Sequence, residues 1–146
     1  MNFVVALRRG LVALGLVLAL LLVGGPWALY GLGLRDVQGR PVPPAVLASP
    51  AVQTEVWQRA GSEGELEMVA INPVFYVMSA AGQSAPPPST AFAWQVASAY
   101  TRDHPSASGP LGRHLSSTAL MIWLTRHWTL GQLLSRVAEM DVSPEH

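Results

Sequence analysis

The 146-residue chain contains no cysteine, which excludes disulfides, thiolate nucleophiles and Cys-ligated metals, and fits either side of a membrane. Lysine is missing too, so all nine basic residues are Arg. Charge is scarce: 12% of residues are charged, where an average soluble domain has ~25%. Nine basic residues face nine acidic ones, a balance that leaves no electrostatic footprint for nucleic acid. Close histidine spacing is also lacking. His104, His114, His127 and His146 never fall at the i, i+4 separation that would place two ligands on one helix face, so no metal is assigned, and no cofactor motif is present. Ser89, Ser116 and Ser117 have no neighbouring His and Asp in a nucleophile pattern and read as helix caps. Glu63, Glu65 and Glu67 alternate along a short polar stretch and read as a solvated face rather than a paired acid and base.

What the chain has in excess is hydrocarbon. Half of its residues are apolar, and from Gly10 to Leu34 there are 25 residues without a charge, rich in Leu and Val. At 1.5 Å rise per residue, roughly 20 residues cross a ~30 Å hydrocarbon core, so the run is long enough. A cleaved signal peptide is the rival reading, but its apolar region usually runs ~7–15 residues to a small-x-small cleavage site. Trp27-Ala28-Leu29-Tyr30 resembles instead the aromatic belt that closes a true span. Arg8 and Arg9 precede the run and Arg35-Asp36 follows it, so the positive-inside tendency keeps the N-terminus in the cytoplasm. Gly24-Gly25-Pro26 should loosen the helix near its outer end.

Past the span, prolines divide the chain. Residues 39–50 carry four Pro and read as an extended spacer that lifts a domain off the bilayer. Residues 51–60 predict a short helix with Val52, Val56 and Arg59 along one side, ended by Gly61 and Gly64. Leu66 to Ile71 fits a strand or a helix, and Asn72-Pro73 starts a helix over 74–81. After Pro86-Pro87-Pro88, Ser89 or Thr90 caps a helix with Phe92, Val96 and Ala99 on one face, ending before His104-Pro105. Ser116 or Ser117 caps the next, whose Leu120 to Leu124 are five consecutive apolar residues, buried all round or set against lipid. Thr129 and Gln132 stand in the capping-box relation ahead of Leu130, Leu133, Leu134, Val137 and Ala138 at amphipathic spacing. Trp57, Trp94, Trp123 and Trp128 fit either one core cluster or a lipid-facing surface.

The run from Ala119 to Leu134 resembles the late helices of the peptidoglycan glycosyltransferase domain of class A penicillin-binding proteins, an Ala-Leu-rich helix, a capped turn and an Ile-Leu-bearing helix. Ser89-Thr90 followed by Gln95-Val96-Ala97 is similar to that family's Gly-Gly-Ser-Thr-x-Thr-x-Gln-Leu-Ala motif with one residue inserted, and Asn72-Pro73 sits where the family has Asp-Pro. The resemblance spans roughly residues 51–140. It implies a mainly α fold, with a single transmembrane helix followed by a small lysozyme-like, glycosyltransferase-like helical domain. By position, Glu55 would stand for the family's general base, and Ser89, Thr90 and Gln95 for its substrate-binding residues. The departures are chemical. The Asp and His of the family's Glu-Asp-x-x-Phe-x-x-His have no counterpart around Glu55-Val56-Trp57. Pro87-Pro88 replaces the Gly-Gly whose amides would face a diphosphate. Only Arg102 and Arg113 lie near as cations, and Arg136-Val137-Ala138 replaces Tyr-Leu-Asn.

The expected organisation is residues 1–9 in the cytoplasm, 10–34 as anchor, 35–50 as linker and 51–146 as a helical domain outside the cytoplasmic membrane. The expected partners are the bilayer and either lipid II or a cell-wall synthase. Three functions fit these residues: a non-catalytic accessory of cell-wall assembly, an active minimal glycosyltransferase acting on lipid II through Glu55, and an unrelated membrane-anchored helical domain.

Overall fold

A computed structural model of the chain describes residues 2–82, 85–105 and 108–142, with side chains from residue 7 onward. His146, one of the histidines considered above, lies outside the described residues. The described chain is all-helical. It comprises α1 (Asn2–Asp36), α2 (Pro50–Arg59), α3 (Pro73–Gly82), α4 (Pro88–Asp103), α5 (Gly109–His127) and α6 (Leu130–Val142). The main packing contacts run α3 to α1 to α5 to α4 to α6 to α2.

Leu7 to Asp36 of α1 is long and apolar enough to cross a membrane. Every residue from Leu7 to Gly24 is exposed, as expected of a Leu- and Val-covered helix with no protein around it. Pro26 lies inside the helix; the loosening expected at Gly24-Gly25-Pro26 does not end it, and the chain stays helical for ten residues more. Proline removes one backbone donor, which a helix can lose without unwinding.

The last three turns of α1 belong to the domain. Gly33 is buried where α1 crosses α5: a Cβ built on it would stand 2.7 Å from the Ala119 Cβ and 2.7 Å from the Leu115 carbonyl oxygen. Asp36 accepts hydrogen bonds from Ser108 Oγ at 2.6 Å and Ser116 Oγ at 3.0 Å. Val37 is buried in the core, and Tyr30 packs on its edge. The core thus begins before residue 34, the expected end of the anchor.

The Pro-rich segment expected as a spacer folds back onto the helices. Gly39, at φ 72°, turns the chain, and Tyr100 Oη donates to Gln38 O at 2.8 Å. Arg136 donates to Val42 O at 2.8 Å, and Ala48 N–H to Ser135 Oγ at 2.8 Å. Prolines keep this backbone extended, and side chains of α4 and α6 take up some of the backbone groups that an extended chain leaves unpaired.

Local chemistry sets the remaining boundaries. Ser49 Oγ accepts from Val52 N at the start of α2, with Pro50 as its first residue. The helix closes in a Schellman turn: Gly61, at φ 69°, donates to Gln58 O at 2.9 Å, and Ser62 N to Trp57 O at 3.3 Å. Asn72 Oδ1 accepts from Val74 N at 2.8 Å where α3 begins. Residues 66–71, which fitted strand or helix, are neither. Their backbone is tied by hydroxyls, with Val69 N donating to Ser89 Oγ at 3.3 Å and Ile71 N to Thr125 Oγ1 at 3.1 Å.

Three serines expected as caps have other roles. Ser89 is buried in the first turn of α4, which is preceded by Pro87 and has no side-chain cap. Ser116 and Ser117 lie within α5, which starts seven residues earlier at Gly109 with Pro110 in its first turn. Ser116 binds Asp36, and Ser117 Oγ lies 2.7 Å from Thr101 Oγ1 in a buried hydrogen bond between α5 and α4. The capping box of α6 is present as read: Thr129 N donates to Gln132 Oε1 at 2.9 Å and Gln132 N to Thr129 Oγ1 at 3.2 Å. Leu120, Met121, Ile122 and Leu124 are buried, as are Leu133 and Leu134. Trp57 stacks on Phe92, with centroids 5.7 Å apart. Trp57 and Trp128 are core residues, whereas Trp94 and Trp123 lie on its edge.

Candidate functional site

The residues singled out by the family resemblance differ in their surroundings. Glu55 stands on the outer face of α2, its side chain two-thirds exposed, and binds Arg59 at 2.7 Å; Arg59 also holds Asp141 of α6 at 3.1 Å. This is a solvated bridge between two helices. A general base must be positioned beside the proton it removes, and the group that meets the Glu55 carboxylate here is the Arg59 guanidinium. Ser89 and Thr90 are 0% and 4% exposed, so their hydroxyls cannot reach a substrate without moving α4. Gln95 is exposed one to two turns further along α4. Among the described residues no three His, Asp or Glu come together as metal ligands.

An apolar concave feature lies elsewhere, at the junction of α1, α3 and α5. A groove of about 400 Å³ opens there. α1 supplies Pro26, Leu29 and Tyr30, and α3 supplies Pro73, Tyr76 and Val77. In each case the spacing is i, i+3 and i+4, one face of a helix. α5 forms the floor with Leu111, Leu115, Ala119 and Ile122, joined by His114 and Thr118. Apart from the His114 ring, the Thr118 hydroxyl and the two tyrosine hydroxyls, the walls are hydrocarbon, and no wall carries a formal charge.

The outer rim of the groove is equally apolar. α3 contains no charged residue, and Phe75, Val77 and Met78 are 57%, 47% and 67% exposed. Leu111, on the facing helix, is 83% exposed. Val77 and Leu111 of this set also line the groove, and exposed apolar residues beside an apolar groove suit a contact surface.

Beside the groove is a ring of aromatics and cations. Trp27 and Tyr30 meet edge to face at 5.8 Å, and the Arg126 guanidinium lies 5.5 Å from the Trp27 ring centre. Arg40 sits 5.8 Å from the centre of Trp123, which stacks on His127 at 4.4 Å. The Arg40 guanidinium also donates to Gly39 O at 2.6 Å and Leu34 O at 3.2 Å, closing the end of α1. Among the described residues no carboxylate pairs with Arg126. α5 runs antiparallel to α1, since Asp36 meets Ser108 and Ser116 while Trp27 meets Arg126. The C-terminus of α5 therefore points back along α1 toward its exposed apolar half, and Arg126, one turn beyond Ile122, stands at that end of the groove.

Sequence reasoning singled out Trp27 and Tyr30, whose rings meet, but not the groove. The signals available were the charge-free α3 and the recurrence of Leu111, Leu115 and Ile122 at helical spacing. Comparison of the chain with protein-family models, with curated proteins and with solved structures finds no match.

Proposed function

We propose that this chain is a membrane-anchored, non-catalytic binding module of cell-wall assembly, displayed outside the cytoplasm by α1. The observation that carries the non-catalytic reading is the state of the four residues expected to act on substrate. Glu55 is solvated and engaged by Arg59, Ser89 and Thr90 are core residues, and Gln95 lies apart on the surface of α4. The cell-wall setting, with lipid II or a cell-wall synthase as partner, rests on the resemblance of residues 51–140. A trimmed, lysozyme-like glycosyltransferase domain would be all-helical, as this domain is among its described residues.

Full-length protein purified in detergent is expected not to polymerise lipid II but to bind lipid II or a cell-wall synthase saturably. Glycan polymer made by the wild type and lost in Glu55→Gln would overturn the proposal. Loss of general-base catalysis costs ~10²–10⁴-fold, well above assay noise. The same substitution should change stability by less than about 1 kcal/mol, because the pair it breaks is exposed and screened.

The topology has its own test. With Arg8 and Arg9 ahead of the span, a reporter active only outside the cytoplasm should work when fused after His146, and moving both arginines to the other flank should invert part of the population. An active cytoplasmic fusion at the same position would reverse the orientation.

A further inference from the structure

We infer that the groove between α1, α3 and α5 is a binding site for one acyl chain of a bilayer phospholipid, entered sideways from the leaflet into which α1 emerges. The inference rests on α1 crossing the membrane, as proposed above.

The groove is continuous with the span, because Pro26, Leu29 and Tyr30, which wall it, are the next turns of the helix whose Leu- and Val-covered part is exposed from Leu7 to Gly24. A bilayer that covers that part meets the groove at the Trp27–Tyr30 belt, where such rings settle at the headgroup level. α3 then lies at the same depth, and its exposed Phe75, Val77 and Met78 face acyl chains instead of water. A segment so placed needs no charge, and α3 has none.

Size and chemistry select the occupant. At about 400 Å³ the groove exceeds twice the ~150 Å³ of an apolar protein cavity that takes up benzene. Its walls offer carbon almost throughout, which suits a hydrocarbon chain and leaves a sugar or peptide undersupplied with hydrogen bonds. Arg126 completes the match. Its guanidinium stands at the membrane-facing end of the groove with no described carboxylate beside it, 5.5 Å from the Trp27 ring centre, where it can meet a phosphodiester while the chain of that lipid lies against Tyr30, Val77 and Ile122.

The test uses the full chain reconstituted in vesicles of phosphatidylglycerol and phosphatidylcholine, a fraction of which carries a photoreactive diazirine in one acyl chain. After flotation and illumination, label should map to α3 and to Leu111 and Ile122 of α5, as well as to α1 before Pro26. Val77→Trp, which puts an indole into the groove at a half-exposed position, should abolish label on α5 and leave label on the N-terminal part of α1 unchanged. Phe75→Glu, at a position too exposed to threaten folding, should reduce label on α3. Label confined to α1 before Pro26, or α5 label that survives Val77→Trp, would overturn the inference while leaving the anchor intact. Protein that fails to float with the vesicles would remove the anchor, and the acyl-chain site with it.

Discussion

A Leu134→Ala chain is expected to lose about 2–5 kcal/mol of domain stability, the usual penalty for emptying a buried leucine site whose surroundings relax only in part. Leu134 is fully buried, and α6, on which it stands, packs against both α2 and α4. The removed methyl groups therefore leave a void among several helices. Such a loss is a large share of the ~5–15 kcal/mol that holds an average domain together. Two residues away, Gln132→Ala removes one half of the capping box, the bond from Thr129 N, and should cost about 1 kcal/mol. Denaturant unfolding of the three proteins in the same detergent would measure the ratio. Small, equal effects at both positions would mean that α6 is not docked.

Gly33→Leu is expected to separate α1 from the rest of the domain. The side chain has nowhere to go: its first carbon would lie 2.7 Å from the Leu115 backbone oxygen and 2.7 Å from the Ala119 methyl, and backbone cannot swing aside as a flexible side chain can. Overpacking of this kind costs ~1–3 kcal/mol when the core can adjust and more when it cannot. The readout is tryptic cleavage after Arg35, which should accelerate as α1 lifts from α5. Gly31→Leu is the control, since a Cβ there meets nothing within 4 Å, and its cleavage rate should match the wild type. Equal protection in Gly33→Leu would show that the helices do not need this close approach.

These two sites also show where the sequence was readable. The α6 cap was legible because its chemistry is local: Thr129 and Gln132 are three residues apart and satisfy one another's backbone donors. The ends of α2 and α4 were legible for the same reason, from Gly61 and from His104-Pro105. Ser116 and Ser117 were misread because a serine ahead of an apolar run looks like a cap whether the helix begins there or has already run two turns. What places them mid-helix is a partner 80 residues away, Asp36, and another 16 residues away, Thr101. Glycine gave no warning either. Of Gly31 and Gly33, only the second lies at a helix crossing, and that depends on α5. The spacer was misjudged because prolines specify an extended backbone, as found, but say nothing about what it lies against. The groove needs three helices distant in sequence, so none of its walls reads as a wall alone, and the proposed catalytic residues required a spatial convergence that a linear alignment cannot supply.

The continuity of α1 into the core sets the order in which this protein can mature. α1 pairs with α5: Asp36 must wait for Ser116, 80 residues later, so the core that these two helices share cannot close until α5 has been made. Closing so long a loop is slow compared with local helix formation. Until α5 arrives, Val37, Phe92 and the rest of the later core are open to chaperones and to proteases. After docking, Gly33 is clamped beneath Leu115 and Ala119. Proteolysis and folding thus compete in time, and the outcome is decided by how quickly the fifth helix reaches the first.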